Sequence, residues 1–147
     1  MLGAYTGAFQ KLLDDLRREV EAYSDESRLW IVGEGIANSG GNLALHVLGN
    51  LQHFIGAELG RTGYVRDRDA EFANKDVPRG EILAKIAEVH AMIEAVLGGV
   101  PERDLEMEVA APALGGPQRL DRWLLHLVSH LAYHLGQINY HRRLLDQ

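Results

Sequence analysis

Four of the chain's seven histidines, His126, His130, His134 and His141, fall within its last 22 residues. The 147 residues contain no cysteine, which excludes disulfides, thiolate metal sites, iron–sulfur clusters and cysteine nucleophiles. An ion would have to be held by His, Asp, Glu or amides. On a helix, histidines four apart differ by about 40° in direction and about 6 Å in height, so two of them can converge on one ion. His126 and His134, about 12 Å apart in height, cannot share one. Leu120, Leu127, Leu131 and Ile138 mark the core-facing direction. His134 lies within about 50° of that line and His130 within about 90°, while His126 is about 130° away. The inward pair is therefore His130 and His134, with His126 placed near solvent.

A catalytic zinc-type site takes three protein ligands and keeps one position open, so this pair is half a site and the third ligand must come from another helix. The stretch NLALHVLGNLQHF at 42–54 sets Asn42, His46, Asn50 and His53 along one side, beside an apolar stripe. His46 and His53 point the same way but stand about 10 Å apart in height, so only one of them can join the pair. A solvated flank usually collects Lys and Glu, and this side has neither. Two readings follow: these residues line a site, or they form a polar edge. For each histidine the competing role is a hydrogen-bonded core residue. His90 reads as a partly exposed helix residue, and His141, followed by Arg142 and Arg143, as a complement to a helix C-terminal dipole.

These residues need helices to position them. Leu12, Leu13, Leu16 and Val20 recur at helical spacing in a first helix from about Ala4 to Tyr23. A second helix runs from about Asn42, with Leu43, Val47, Leu51 and Phe54 as its stripe, to a stop near Gly60. The third is entered at Asp76 or a neighbour as cap and Pro78 in the first turn, and carries Ile82, Ile86, Val89, Ile93 and Val96. Gly98, Gly99 and Pro101 end it. The fourth spans Gln118 to about Leu145. Residues 25–41 read as a connector with one turn near Trp30, and 61–76 as a long connection without a sustained period. A short extended segment fits within 101–117, too little for a sheet. The fold class is all-α: one domain, 1–147, a four-helix bundle with long connections.

Composition narrows the function classes. Lys and Arg total 15 against 21 Asp and Glu, a net charge of −6, so the broad positive field that grips phosphate backbones is missing and nucleic acid is not an expected partner. No stretch reaches the ~20 apolar residues that cross a bilayer, and the first residues lack the pattern of a secretory leader. The expected location is cytoplasmic, with no membrane partner.

Two stretches, LHVLGNLQHFIGAELG at 45–60 and HLVSHLAYHLGQINYHRR at 126–143, carry a resemblance. With its L-H-x-x-G-N and H-x-x-Y-H-x-G-Q motifs, the chain resembles the DinB/YfiT-like superfamily of four-helix-bundle metal-dependent proteins. The resemblance covers nearly the whole chain. It implies a divalent metal, zinc or nickel, held by one histidine of the second helix and two of the fourth: His46, His130 and His134. It places Asn50 and Gln137 where they would orient ligating imidazoles, and it leaves Asn42 and His53 as further pocket residues. It implies a homodimer, with which exposed Leu125 and Tyr140 are consistent. Some relatives are S-transferases or isomerases using low-molecular-weight thiols such as bacillithiol or mycothiol.

Three neutral imidazoles leave the ion's charge uncompensated and a position open. Water there would have its pKa lowered towards about 7, which suits hydrolysis. A small thiol there would be deprotonated, which suits transfer to a small-molecule substrate. No carboxylate base is set by spacing beside the pair, as it is in H-E-x-x-H, and Glu34 and Glu58 have only their presence to recommend them. The expectation is thus a metal-dependent thiol S-transferase-type enzyme. The alternatives are a metal-dependent hydrolase and a non-catalytic metal-binding or stress-related dimer. An anionic thiol would need cations at the mouth, for which Arg61, Arg66 and Arg68 are available, with a solvated loop as the plainer reading of the same residues.

Overall fold

The computed structural model describes residues 1–147. Five α-helices form: α1 (Leu2–Ala22), α2 (Gly40–Leu51), α3 (Arg68–Ala73), α4 (Arg79–Gly98) and α5 (Leu120–Leu145). The four long ones make the bundle, with α1 packed on α4 and α5, and α2 on α4 and α5. The predicted apolar positions do the packing. Leu13, Leu16 and Val20 of α1, Ile82, Ile86, Val89 and Ile93 of α4, and Leu120, Leu127, Leu131 and Ile138 of α5 are all buried. No helix is long and apolar enough to cross a membrane.

α2 differs most from its sequence reading. All twelve of its residues are buried, polar ones included, because α3 and the 3-10 turn Glu26–Trp30 cover the side that α4 and α5 leave. It starts at Gly40 rather than Asn42, capped by Ser39, whose Oγ accepts from the Asn42 amide at 3.1 Å. Two glycines make this possible: a Cβ at Gly40 would collide with the Tyr23 hydroxyl, and one at Gly41 would stand 2.8 Å from the Trp30 ring. Beyond Leu51 the helix widens into π-helical turns, Gln52–Leu59.

The connections also hold more structure than periodicity shows. Within 61–76 lies α3, capped by Asp67, whose Oδ1 accepts from the Ala70 amide at 3.0 Å. Six residues are too few to display a period. Asp76 does not cap α4; it sits at φ 56°, a left-handed conformation that Asp tolerates. Pro78 occupies the cap position, and the Arg79 amide is bound instead by Glu26 Oε2 at 2.8 Å. α5 begins at Leu120 rather than Gln118 because Gln118–Arg119 pairs antiparallel with Glu108–Val109, a minimal two-stranded sheet that the sequence does not predict.

Candidate metal centre

α2 and α5 run antiparallel, since Leu43 shares a cavity wall with His134 and His141 while Phe54 packs edge-on against Trp123 at 4.9 Å. That sets His46 opposite the i, i+4 pair of α5. His46 Nε2 lies 3.3 Å from His130 Nε2, and His134 Nε2 lies 3.2 Å from the same atom. The three form the one group whose ligand atoms all fall within 4.8 Å. The rings stand at 75°, 88° and 83° to one another, so nitrogens rather than ring faces converge.

The far nitrogens decide which protonation state points inward. His46 Nδ1–H donates to Glu71 Oε1 at 3.1 Å, and His134 Nδ1–H donates to Gln137 Oε1 at 2.7 Å. In its neutral form an imidazole has one proton, so with Nδ1–H committed in this way each Nε2 presents a lone pair to the centre. His130 Nε2 can donate to only one of them. Burial, followed by His134, His46, His126 and Arg66, holds His130 well below the ordinary histidine value, at about 4. Burial also lowers His134, against the raising effect of Gln137. Converging lone pairs with few protons to share are what a cation relieves.

The two spacings at His130 suit an ion as well. Nitrogens about 2.05 Å from one ion stand roughly 3.4 Å apart at a tetrahedral angle and roughly 2.9 Å apart at a right angle. The observed 3.2 and 3.3 Å lie between. An all-imidazole set favours zinc, nickel, copper or iron over magnesium or calcium, which seek oxygen.

A family model for the DinB superfamily matches residues 8–138. The chain belongs to the DinB superfamily. No curated protein matches it. The matched span of this DinB protein contains all three histidines, in a family that is generally associated with metals.

Sequence reasoning missed Glu71. It is buried, and its carboxylate is held by His46 and by two hydrogen bonds from Arg66, Nε to Oε2 and Nη2 to Oε1, each 2.8 Å. Burial pushes the Glu71 carboxyl up, but the bonds from His46 and Arg66 outweigh it and leave the group below the usual carboxylate range. The arrangement is a carboxylate–histidine pair aimed at the candidate metal position, which fixes the ring and raises its basicity. Gly49 leaves the room: a Cβ there would fall on the Glu71 carboxylate. The one available signal was the Asp67 cap four residues earlier.

The other predicted residues divide. Asn42 does not reach the histidines. Its amide donates to the Glu71 and Asn74 carbonyls at 3.0 and 2.8 Å, and its Oδ1 accepts from Ser39 and Lys75, so it pins α3 and thereby Glu71. Gln137 orients His134 as described. Asn50 is buried and orients no histidine; its Oδ1 has no hydrogen-bond partner at all. His53 stays outside the cluster, edge-on to Phe54 and 4.0 Å from Glu58. His126 is half-buried, stacked on Trp123 at 5.0 Å. His141 is buried between Tyr23 and the Ile31 carbonyl, a core role in place of the surface dipole contact its sequence suggests.

The depressed histidines make the metal-free protein acid-sensitive. The unfolded state takes up protons near pH 6.5 and the folded His130 only near 4, so this stabilisation is complete above about pH 6.5 and is lost as pH falls towards 4. With the ring half exposed, the loss at pH 5 is about 1 kcal/mol. Chelator-treated protein should melt roughly 2–4 °C lower at pH 5 than at pH 7.5. His130→Gln should remove most of that difference. A melting temperature equal at both pH values would contradict the assignment.

Proposed function

We propose that this DinB protein is a metal-dependent enzyme whose His46, His130 and His134 would hold a divalent ion, zinc or nickel, for activation of a small thiol. The thiol gives its proton to solvent, and its sulfur bonds to a small-molecule substrate as that substrate's leaving group departs. A bound ion would supply Lewis acidity, lowering the pKa of a thiol beside it. The observation that carries the reading is the position of Glu71. It stands behind His46, on the Nδ1 side, with its oxygens committed to His46 and Arg66, so it serves as a support for the ligand rather than a base for water. A thiol, with a pKa near 8.5, needs far less help to ionise than water does. His130 and His134 stay neutral and His46 is oriented by Glu71, so the donors are ready at neutral pH. The proposal includes a cytoplasmic location and a homodimer of one-domain chains; Leu125, 60% exposed and outside the cavity that His134 lines, is available for such a contact.

The hydrolase reading has one observation in its favour. Glu34 lies in the wall of the cavity that His134 also lines, where a carboxylate could serve as a base. Zinc- and nickel-loaded protein, offered activated aryl halides with and without added thiol and activated esters without it, separates the readings. Turnover that requires both metal and thiol, and vanishes in His130→Ala, is the expected result. Thiol-independent ester hydrolysis that falls in Glu34→Gln would replace the transferase with a hydrolase. Full metal occupancy without turnover of either class would leave a binding protein.

A further inference from the structure

The cavity beside His134 has a chemistry of its own. It measures about 570 Å³ and lies between the connector 33–38, Leu43 of α2 and the flank of α5 from Tyr133 to Leu145. That volume is within the usual range for a small-molecule site. Four of the nine large apolar side chains that the fold leaves exposed line it: Ile36, Tyr133, Tyr140 and Leu144. On α5 the last three recur at seven and four residues, one helical face.

The cavity is held open by the fold. The buried Tyr23 hydroxyl donates to His141 Nδ1 at 2.7 Å, and His141 Nε2–H donates to the Ile31 carbonyl at 2.7 Å. This chain of bonds ties α1, the connector and α5 together at the cavity floor. Burial raises the Tyr23 phenol, which keeps it a donor.

The charges in the wall are one-sided. Glu34 is the only Asp or Glu in the wall, and no Lys or Arg lines the cavity. The arginines available for an anionic thiol are elsewhere: Arg66 is bound to Glu71, Arg68 lies over Phe72 at 5.2 Å, and Arg61 lines a separate apolar cavity. Arg143 sits over the Tyr140 ring at 5.6 Å without forming part of the wall.

We propose that this cavity binds the acceptor substrate and that the substrate is an amine with an aromatic or branched apolar body. The body packs on Tyr133, Tyr140, Ile36 and Leu144, and the ammonium faces Glu34. This places its other end against His134 and Gln137, and it rests on the metal-centre reading for the word substrate. Anionic molecules of the same shape meet a carboxylate in the wall, whereas the bordering cations, Arg143 over the Tyr140 ring and Arg28 on the Leu145 carbonyl, stand outside it.

The test titrates the full chain, zinc-loaded and metal-free, with phenylbutylamine, phenylbutanol and phenylbutyrate, with calorimetry for affinity and, in chains that keep both rings, NMR shifts of Tyr133 and Tyr140 for location. The metal-free arm removes direct ligation of the ion by the carboxylate. The amine should bind roughly 2–5-fold tighter than the alcohol, and the carboxylate about tenfold weaker than the amine. Glu34→Gln should equalise amine and alcohol, and Tyr133→Ala/Tyr140→Ala should weaken both about fivefold or more. The inference is overturned if the carboxylate binds metal-free protein as tightly as the amine, or if no probe binds. It is also overturned if the double variant abolishes self-association and leaves probe binding unchanged, which would make this face an interface between copies. Zinc content of the same samples separates the two readings. Zinc uptake without probe binding removes only the cavity assignment, and probe binding without zinc uptake removes only the metal centre.

Discussion

Replacing His130 by alanine is expected to weaken zinc binding roughly 10²–10³-fold, with the helical fold retained. Structural zinc sites gain about 10–16 kcal/mol from four ligands, so one ligand accounts for about 3–4 kcal/mol, which converts to that factor. His130 is the place to make the change because its Nε2 is the atom both neighbours approach, at 3.2 and 3.3 Å. It is half-buried and bonds to nothing outside the cluster, so its loss opens no cavity in the packed core. Competition against a chelating dye measures the affinity, and circular dichroism checks the fold. Unchanged affinity in His130→Ala would remove the three-histidine site, whatever the protein's metal content.

The second large effect belongs to Glu71. Glu71→Gln keeps an oxygen for His46 Nδ1–H but removes the charge, and zinc affinity should fall about 10–100-fold, as for other supports of ligating histidines. Glu71→Ala should do more. It strands the Arg66 guanidinium, 12% exposed, without its carboxylate, and should cost about 3 kcal/mol of stability. Arg66→Met/Glu71→Leu separates the two roles. Removing both charges should restore most of the melting temperature, while zinc affinity stays low because His46 still lacks its acceptor. If affinity returned along with stability, Glu71 would be a folding residue and its alignment with His46 incidental.

Asn42 and Asn50 show where reading from sequence stops. Both lie on the same edge of α2, eight residues apart, and only the Ser39 cap, three residues before Asn42, distinguishes them locally. Yet Asn42 bonds to four partners while Asn50 Oδ1 has none. The difference comes from α3, which stands opposite Asn42. The stripe predicted for α2 likewise consists of real core residues, but a stripe cannot reveal that a short helix will cover the other side as well.

The residues by themselves determined the four long helices and the inward pair His130 and His134, because helical period and i, i+4 geometry depend only on neighbours along the chain. The motif resemblance added His46, and the fold set all three Nε2 atoms together. Tertiary structure alone decided what stands behind them. Glu71 meets His46 across 25 residues of chain, from a helix of six residues with no period to announce it. Its role exists only because Asn42 pins that helix, Gly49 leaves space for its carboxylate and Arg66 neutralises it. A buried charge network of this kind depends on contacts distant in sequence, and hydrophobic patterning carries no record of them.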